Sequence, residues 1–408
     1  MVRHRSGLPI AVLATVAAAG LATLILRPRS GLIDPQAVEA SAYFTAEQIE
    51  RAVEFRDPQR ILGLAGLALS AGTLALVALR PPAVVRRALD RAAARPYAGA
   101  AAVGAGLSAG LVLVTLPLDA VRHERAVDVG LSVQDWVPWL GDLAKSAAIG
   151  ALFAAGGAVL AIALVRRFPR RWWIPGSGLL VGVASAFVLL SPLVIDPLFN
   201  DFDELPEGRL RADVVALAER AGVDVGEVLR VDASRRTTGV NAYVGGLGHT
   251  KRVVLYDNLL ERFPPEQVRS VVAHELAHVK HRDVPRGLLW LAIVAPAGVL
   301  LVQRLTERIA PGMRDARSLP ALALSLALVS FAVGSAGNVL SRQVEARADA
   351  FALRLTGDPA AFIAFEREIA VSNISDPEPP ALLHALFGTH PTAVERIGYG
   401  LRFAAGER

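Results

Sequence analysis

The chain of 408 residues contains no cysteine. Disulfides, cysteine nucleophiles and thiolate metal ligands are thereby excluded, and the redox compartment leaves no mark on the composition. A transition-metal site would have to be built from histidine, carboxylate and water. Aromatic residues make up only 6% and are not interleaved with basic ones, so nothing points to a nucleic-acid surface. The glycine-rich stretch GGLGHTK (245–251) lacks the spacing of a phosphate loop and reads as a hairpin turn. There is no internal repeat.

What the sequence has in abundance is apolar length. Hydrophobic residues reach 53% and the mean hydropathy is +0.42, high for a globular protein. Seven apolar runs approach the roughly 20 residues that cross a bilayer, at 8–26, 61–79, 98–116, 146–165, 178–195, 288–302 and 321–339. One such run could be a buried soluble helix; seven in one chain make a polytopic helical bundle. The first run follows Arg3 and Arg5 as a signal peptide would, but its length and the Arg27 after it favour a retained span. The sixth run is short, and Trp290 near its start is expected to anchor it at the membrane interface. Glycine and alanine within the runs allow close helix packing in lipid. The net charge is +5 and the pI about 9.9, an excess carried by arginines beside the apolar runs. We read it as orientation in a membrane.

Between the fifth and sixth runs lies a polar segment. A helix is expected over EGRLRADVVALAERAG, ended by Gly222, then strands at VLRVDAS, NAYVGG and RVVLYDNLL. Next comes VVAHELAHVKHRD. His274 and His278 stand four apart and share one face of a helix, so both imidazoles can reach one ion. Glu275, offset beside them, suits the base that takes a proton from a water whose pKa an ion has lowered. A helix that spells this pattern by chance is the competing reading, and with 8 histidines in the chain it is a poor one. A catalytic zinc usually takes three protein ligands. His281 lies one turn too far along and is read as a supporting or interface residue. Glu345, in SRQVEARADAF, is the better third ligand, and Asp349 four residues on could orient a ligand histidine through its ring N–H. Locally, the alternative for both is a solvated face paired with Arg342, Arg347 and Arg354. Membrane geometry favours the site: the sixth span begins just after the histidines, the seventh ends just before Glu345, and antiparallel spans bring those two points to one side. On this view the ligand helices are extensions of spans, the first bent by Pro285.

HELAH, SRQVEARADAFA and GTHPTAVERI together resemble the M48 peptidases. The seven runs with PLFNDFDELPEGRL, NAYVGGLGHTKRVVLYDNLL and RHERAVDVGLS resemble the Ste24-type CaaX prenyl protease branch, over about residues 116–397. The resemblance implies a zinc endopeptidase whose helices surround an intramembrane chamber, with His274, His278 and Glu345 as ligands of one Zn2+ per chain and Glu275 as base. It implies that Asn241, Ala242 and Tyr243 belong to an edge strand that pairs with the substrate backbone. It places His390 near the scissile carbonyl, and Asp349 and Arg396 in support. Taken alone, His390 is equally a residue leading into a helix. His4, His123, His249 and His384 read as structural or surface residues. The glycine-rich turn departs from the family pattern, which bears on substrate preference.

The expected fold class is mainly α: a membrane helical bundle of about seven spans with a zincin-like metalloprotease domain containing a small β-sheet. The expected division is a five-span membrane region (1–195), a catalytic segment with the sheet and the HExxH helix (196–286), spans six and seven (287–340), and a C-terminal helical part with the third ligand (341–408). The expected partners are a peptide or protein substrate and the lipid bilayer, with no nucleic acid. The expected function is a membrane-embedded, CaaX-protease-like zinc endopeptidase. The competing readings are a quality-control protease of the same chemistry and a non-enzymatic seven-span protein with a vestigial metal site. Arginines cluster in the short loops after the second, fourth and sixth spans and at the N-terminus. By the positive-inside rule that side is cytoplasmic, which turns the metal site outward, in a multi-pass protein of the cell membrane.

Overall fold

A computed structural model describes residues 7–245 and 251–406. The turn that opens at Gly246, with His249, lies outside the described residues, as do Arg3, His4 and Arg5. Seven helices have the length and hydropathy of membrane spans: α1 (Gly7–Leu26), α2 (Ala46–Leu79), α4 (Pro96–Asp128), α5 (Trp136–Arg167), α6 (Trp173–Leu190), α10 (Asp283–Ile309) and α11 (Leu319–Thr356). They coincide with the seven apolar runs. The helix α3 (Ala83–Ala93) fills the arginine-rich connection between α2 and α4. In α2, α4, α5 and α6 no more than 11% of the most apolar stretch is buried inside the molecule, against 44% in α10 and 39% in α11. So much exposed apolar helix is intolerable in water and required in lipid.

Trp290 departs from its expected role. It is 9% exposed, its indole N–H donates to Thr23 Oγ1 of α1 at 3.0 Å, and it packs with Val294 and Leu340. It therefore locks α10 to α1 and α11, and is no interfacial anchor. The close fit continues at Gly337 of α11, where a Cβ would stand 3.4 Å from the indole ring.

The polar segment folds as β1 (Phe202–Glu204), α7 (Arg209–Ala221), β2 (Glu227–Val231), β3 (Ala242–Gly245), β4 (Arg252–Tyr256), α8 (Asp257–Arg262) and α9 (Pro265–Lys280). Gly222 ends α7 in the left-handed region at φ 65°, which glycine adopts without a Cβ penalty. The third expected strand stops at Tyr256, and DNLL turns into α8, because Asp257 accepts hydrogen bonds from the backbone N–H and the hydroxyl of Ser234 and bends the chain there. The sheet order is β1-β2-β4-β3, with β2 and β4 parallel and β3 antiparallel to β4. β3 is thus an edge strand. Beneath the sheet, Val253 and Leu255 pack with Val272, Ala273 and Leu276 of α9 and with Ala350 and Leu353 of α11, all fully buried. That core fixes α9 against the end of α11.

The chain finishes with α12 (Pro359–Ser372), α13 (Ala381–Phe387) and α14 (Ala393–Ala404), with breaks at the expected TGDPA and DPEPP stretches. α11 runs unbroken from its apolar half into its polar half, so it extends a span as expected. α9 does not. It ends at Lys280, Arg282 takes the left-handed conformation (φ 55°), and α10 starts anew at Asp283, with Pro285 in its first turn. The break lies before Pro285, and its consequence is to turn the Asp283 side chain back onto α9.

Candidate metal centre and active site

α9 presents His274 and His278 one turn apart, and α11 presents Glu345 opposite them. His274 Nε2 lies 3.1 Å from Glu345 Oε2 and 3.2 Å from His278 Nε2; His278 Nε2 lies 3.7 Å from Glu345 Oε1. Each histidine is tethered from behind. His274 Nδ1 is 2.8 Å from Asp349 Oδ1, and His278 Nδ1 is 3.1 Å from Asp283 Oδ2. A carboxylate at Nδ1 takes the ring proton there, so Nε2 is left with its lone pair (the tautomer follows from these partners). Two imidazole lone pairs and a carboxylate then face one another at 3.1–3.7 Å, in a place only 6–8% exposed at His274 and Glu345. Such convergence of donors repels unless a cation stands among them, so the residues fit a divalent metal. A carboxylate oxygen of Glu275 and a ring nitrogen each of His274 and His278 also lie within 4.8 Å of one another.

The two orienting carboxylates are each held by an arginine, Arg396 part-buried and Arg347 buried. Arg396 of α14 donates from Nε to Asp349 Oδ2 at 2.9 Å and pairs with Glu366 of α12 at 2.7 Å. Arg347 of α11 pairs with Asp283. Glu366 is 2% exposed, and burial pushes its carboxyl up. The alternative of a solvated face at Glu345 and Asp349 does not hold, since Glu345 is 8% and Asp349 0% exposed. Of the arginines it would use, Arg347 goes to Asp283, Arg354 donates to Gly31 O, and Arg342 donates to the carbonyls of His384 and Gly388. Asn338, Arg342, Glu345 and Asp349 stand four, three and four residues apart on one face of α11. The first two hold α13 and its exit, with Asn338 donating to Leu386 O at 2.7 Å.

That exit carries His390, whose Nε2 lies 3.2 Å from Glu345 Oε2. Thr392 caps α14 through a reciprocal bond pair with Glu395, which sets the start of the helix and hence Arg396. Burial pushes the His390 imidazole down. Burial likewise pushes the Glu275 carboxyl up, against the pull of the two imidazoles, while the Val244 N–H of β3 donates to it. Tyr256 N–H donates to Asn241 O, so Asn241 faces β4, and antiparallel alternation puts Tyr243 facing β4 as well. The outward backbone groups are those of Ala242 and Val244. The Ala242 N–H is held by the Asn241 side chain at 2.9 Å. Asn241, His274, Glu275, Asn373, His390 and Arg396 line one cavity of about 600 Å³. A second, of about 570 Å³ with Leu64 and Leu67 of α2 in its wall, shares Arg56, Asp376 and His384 with it.

Of the other histidines, His281 sits edge-on to Phe351 at 5.6 Å and His123 stacks on Trp139 at 4.7 Å, both away from the donor cluster. Sequence reasoning missed Asp283, Arg347, Glu366 and Arg342. Asp283, five residues after His278, left a signal in HRD; the other three left none that separates them from surface charges.

A span-length helical bundle with this donor set at one membrane face defines a multi-pass, membrane-embedded metallopeptidase. Residues 204–399 match the profile described as peptidase family M48, and residues 96–201 match that of the CAAX prenyl protease N-terminal region, five membrane helices. The chain is 31% identical over 294 residues to the uncharacterized metalloprotease YhfN of Bacillus subtilis, covering 70% of this chain and 69% of that one. With CAAX prenyl protease 1 of Saccharomyces cerevisiae it shares 33% identity over 181 residues, 38% of that protein's length. The fold is that of the crystal structure of S. mikatae Ste24p, with a TM-score of 0.77 over 96% of this chain and 98% of that one at 19% identity. This chain belongs to peptidase family M48.

Proposed function

We propose that the chain is a zinc endopeptidase acting on membrane-associated peptides or proteins, in the manner that the name of its CAAX prenyl protease relatives describes. The observation that carries this reading is the convergence of His274 Nε2, His278 Nε2 and Glu345 Oε2, with both Nδ1 atoms tethered to carboxylates. His274, His278 and Glu345 would hold one Zn2+, a Lewis acid that polarises a peptide carbonyl and lowers the pKa of a water. Glu275 accepts the proton of the attacking water and passes it to the leaving amine. Its burial-raised basicity suits both transfers. An extended substrate segment adds to the free edge of β3 through the backbone groups of Ala242 and Val244, beside Asn241 and Tyr243. Val244 N–H then exchanges Glu275 for the substrate, which frees the carboxylate where it is needed. His390, exposed on its cavity side, donates to the oxygen of the scissile carbonyl. Asp349 with Arg396 keeps His274 in the tautomer that the metal requires. The division of labour follows the chain: membrane region 1–195, catalytic segment 196–286, spans 287–340, and C-terminal part 341–408.

The charge bias of the arginine-rich short loops favours a metal centre on the outer face of a cell membrane. That bias favours a second reading of the substrate, in which exported or damaged membrane proteins are cleaved and no lipid is required. Metal content by elemental analysis, and cleavage of a farnesylated and an unlipidated peptide with and without a chelator, test the proposal. Chelator-resistant cleavage refutes the metal chemistry; equal turnover of both peptides favours the second reading. A cytoplasm-only reporter fused at Arg408 tests the orientation, and a strong signal reverses it.

A further inference from the structure

At the opposite membrane face from the HELAH helix, the end of α10 meets the turn between α5 and α6 and the start of α1 and α11. They enclose a cavity of about 750 Å³. Its floor is apolar and belongs to the spans: Leu8 of α1, Val165 of α5 and Leu322 of α11. Its rim is cationic: Arg170, Arg304, Arg308 and Arg314. Among the described residues the only carboxylate in the lining is Glu307, already engaged by Gln303 Nε2 at 2.7 Å and by Arg304 at 3.4 Å. Among the described residues, Arg170, Arg308 and Arg314 have no acidic partner. Asp315, close in sequence, is taken by Arg317 at 2.7 Å.

The wall is built. Gln303 is 1% exposed, donates to Arg170 O at 3.1 Å and accepts from the Trp173 N–H at 3.3 Å. One buried amide thus fastens α10 to the α5–α6 turn and sets where Arg170 stands. Like charges gathered around a concavity repel one another. A phosphate group relieves that repulsion, since guanidinium forks match its oxygens.

We propose that this cavity binds a phosphate-bearing anion, the apolar floor at span level pointing to the headgroup of an anionic phospholipid. A cationic rim above apolar span ends is the amphiphile's own arrangement. Its source could also be soluble phosphate, and the two are separable. Thermal unfolding of the purified full-length protein in a neutral detergent, at fixed ionic strength, is followed while short-chain phosphatidylglycerol, short-chain phosphatidylcholine or inorganic phosphate is added. Phosphatidylglycerol is expected to stabilise at far lower concentration than phosphatidylcholine. In Arg308→Gln/Arg314→Gln its half-saturation is expected to rise roughly 25-fold, about fivefold per arginine. Arg308→Lys/Arg314→Lys should keep most of the response, and Arg86→Gln/Arg87→Gln, on the same membrane side in α3, should keep all of it. Inorganic phosphate matching phosphatidylglycerol would support the anion site with a soluble source. If neither anion stabilises, or the Gln variant responds as the parent does, the proposal is overturned.

Discussion

Asparagine in place of Asp283 isolates the tether behind His278. The Asp283 side chain stands with one oxygen 3.1 Å from His278 Nδ1 and the other on Arg347, and the side chains of Asp283 and Arg347 are only 9% and 7% exposed. Water therefore cannot substitute for either contact. An asparagine has one acceptor. If it serves Arg347, its NH2 faces His278 Nδ1, which must then accept; the ring proton moves to Nε2 and the lone pair aimed at the metal is lost. If it serves His278, the buried Arg347 meets an NH2. Loss of a carboxylate behind a metal histidine lowers metal affinity by roughly ten- to a hundredfold, about 1.4–2.7 kcal/mol. Asp283→Ala should add a fall in stability of roughly 3–5 kcal/mol, because the charge of Arg347 is left unpaired. Asp283→Ala/Arg347→Leu should recover much of that stability without recovering the metal. Chelator competition on the purified protein reads the affinity, and thermal unfolding reads the stability. If Asp283→Asn binds metal as tightly as the parent, the tether has no role in the site.

Glu275→Gln should retain metal and lose roughly a hundredfold or more of its proteolysis, as loss of a general base does; metal analysis beside a peptide-cleavage assay reads both, and an active variant removes Glu275 from the mechanism. Glu345→Ala should empty the metal site while His281→Ala leaves it filled, and elemental analysis in the reverse order would exchange their roles. Arg342→Ala should release the carbonyls of His384 and Gly388 and let the His390 segment drift, lowering kcat/KM by about ten- to a hundredfold with metal content unchanged; unaltered turnover would show that this anchor does not position His390. Val244→Pro should weaken substrate binding more than Tyr243→Phe does, since the backbone edge and not the ring is what the substrate meets; peptide affinities in the opposite order would remove the strand-addition reading.

The sequence by itself determined the elements whose cause is local. Seven apolar runs are spans because length and hydropathy suffice to define them, and every one is a helix in the structure. His274, Glu275 and His278 were legible because a spacing of four fixes a shared helical face. Gly222 and the TGDPA and DPEPP breaks were legible because backbone preference acts within a few residues. Tertiary structure decided everything that depends on which distant charges meet. Arg347 and Arg342 stand about 1.4 helical turns apart and read alike in the sequence, yet one secures Asp283 and the other holds the carbonyls at the end of α13. Glu366 is an ordinary helical glutamate until α14 brings Arg396 against it. Trp290 reads as an interfacial ring until α1 offers it Thr23. The break before Pro285 was invisible because a left-handed arginine carries no composition signal; it is held there by the Asp283 contacts it creates. β3 is an edge, and its outward groups are those of Ala242 and Val244, only because the sheet orders its strands as it does. The physical reason is the same in each case: a buried polar side chain is fixed by the partner that compensates its desolvation, and that partner comes from elsewhere in the chain.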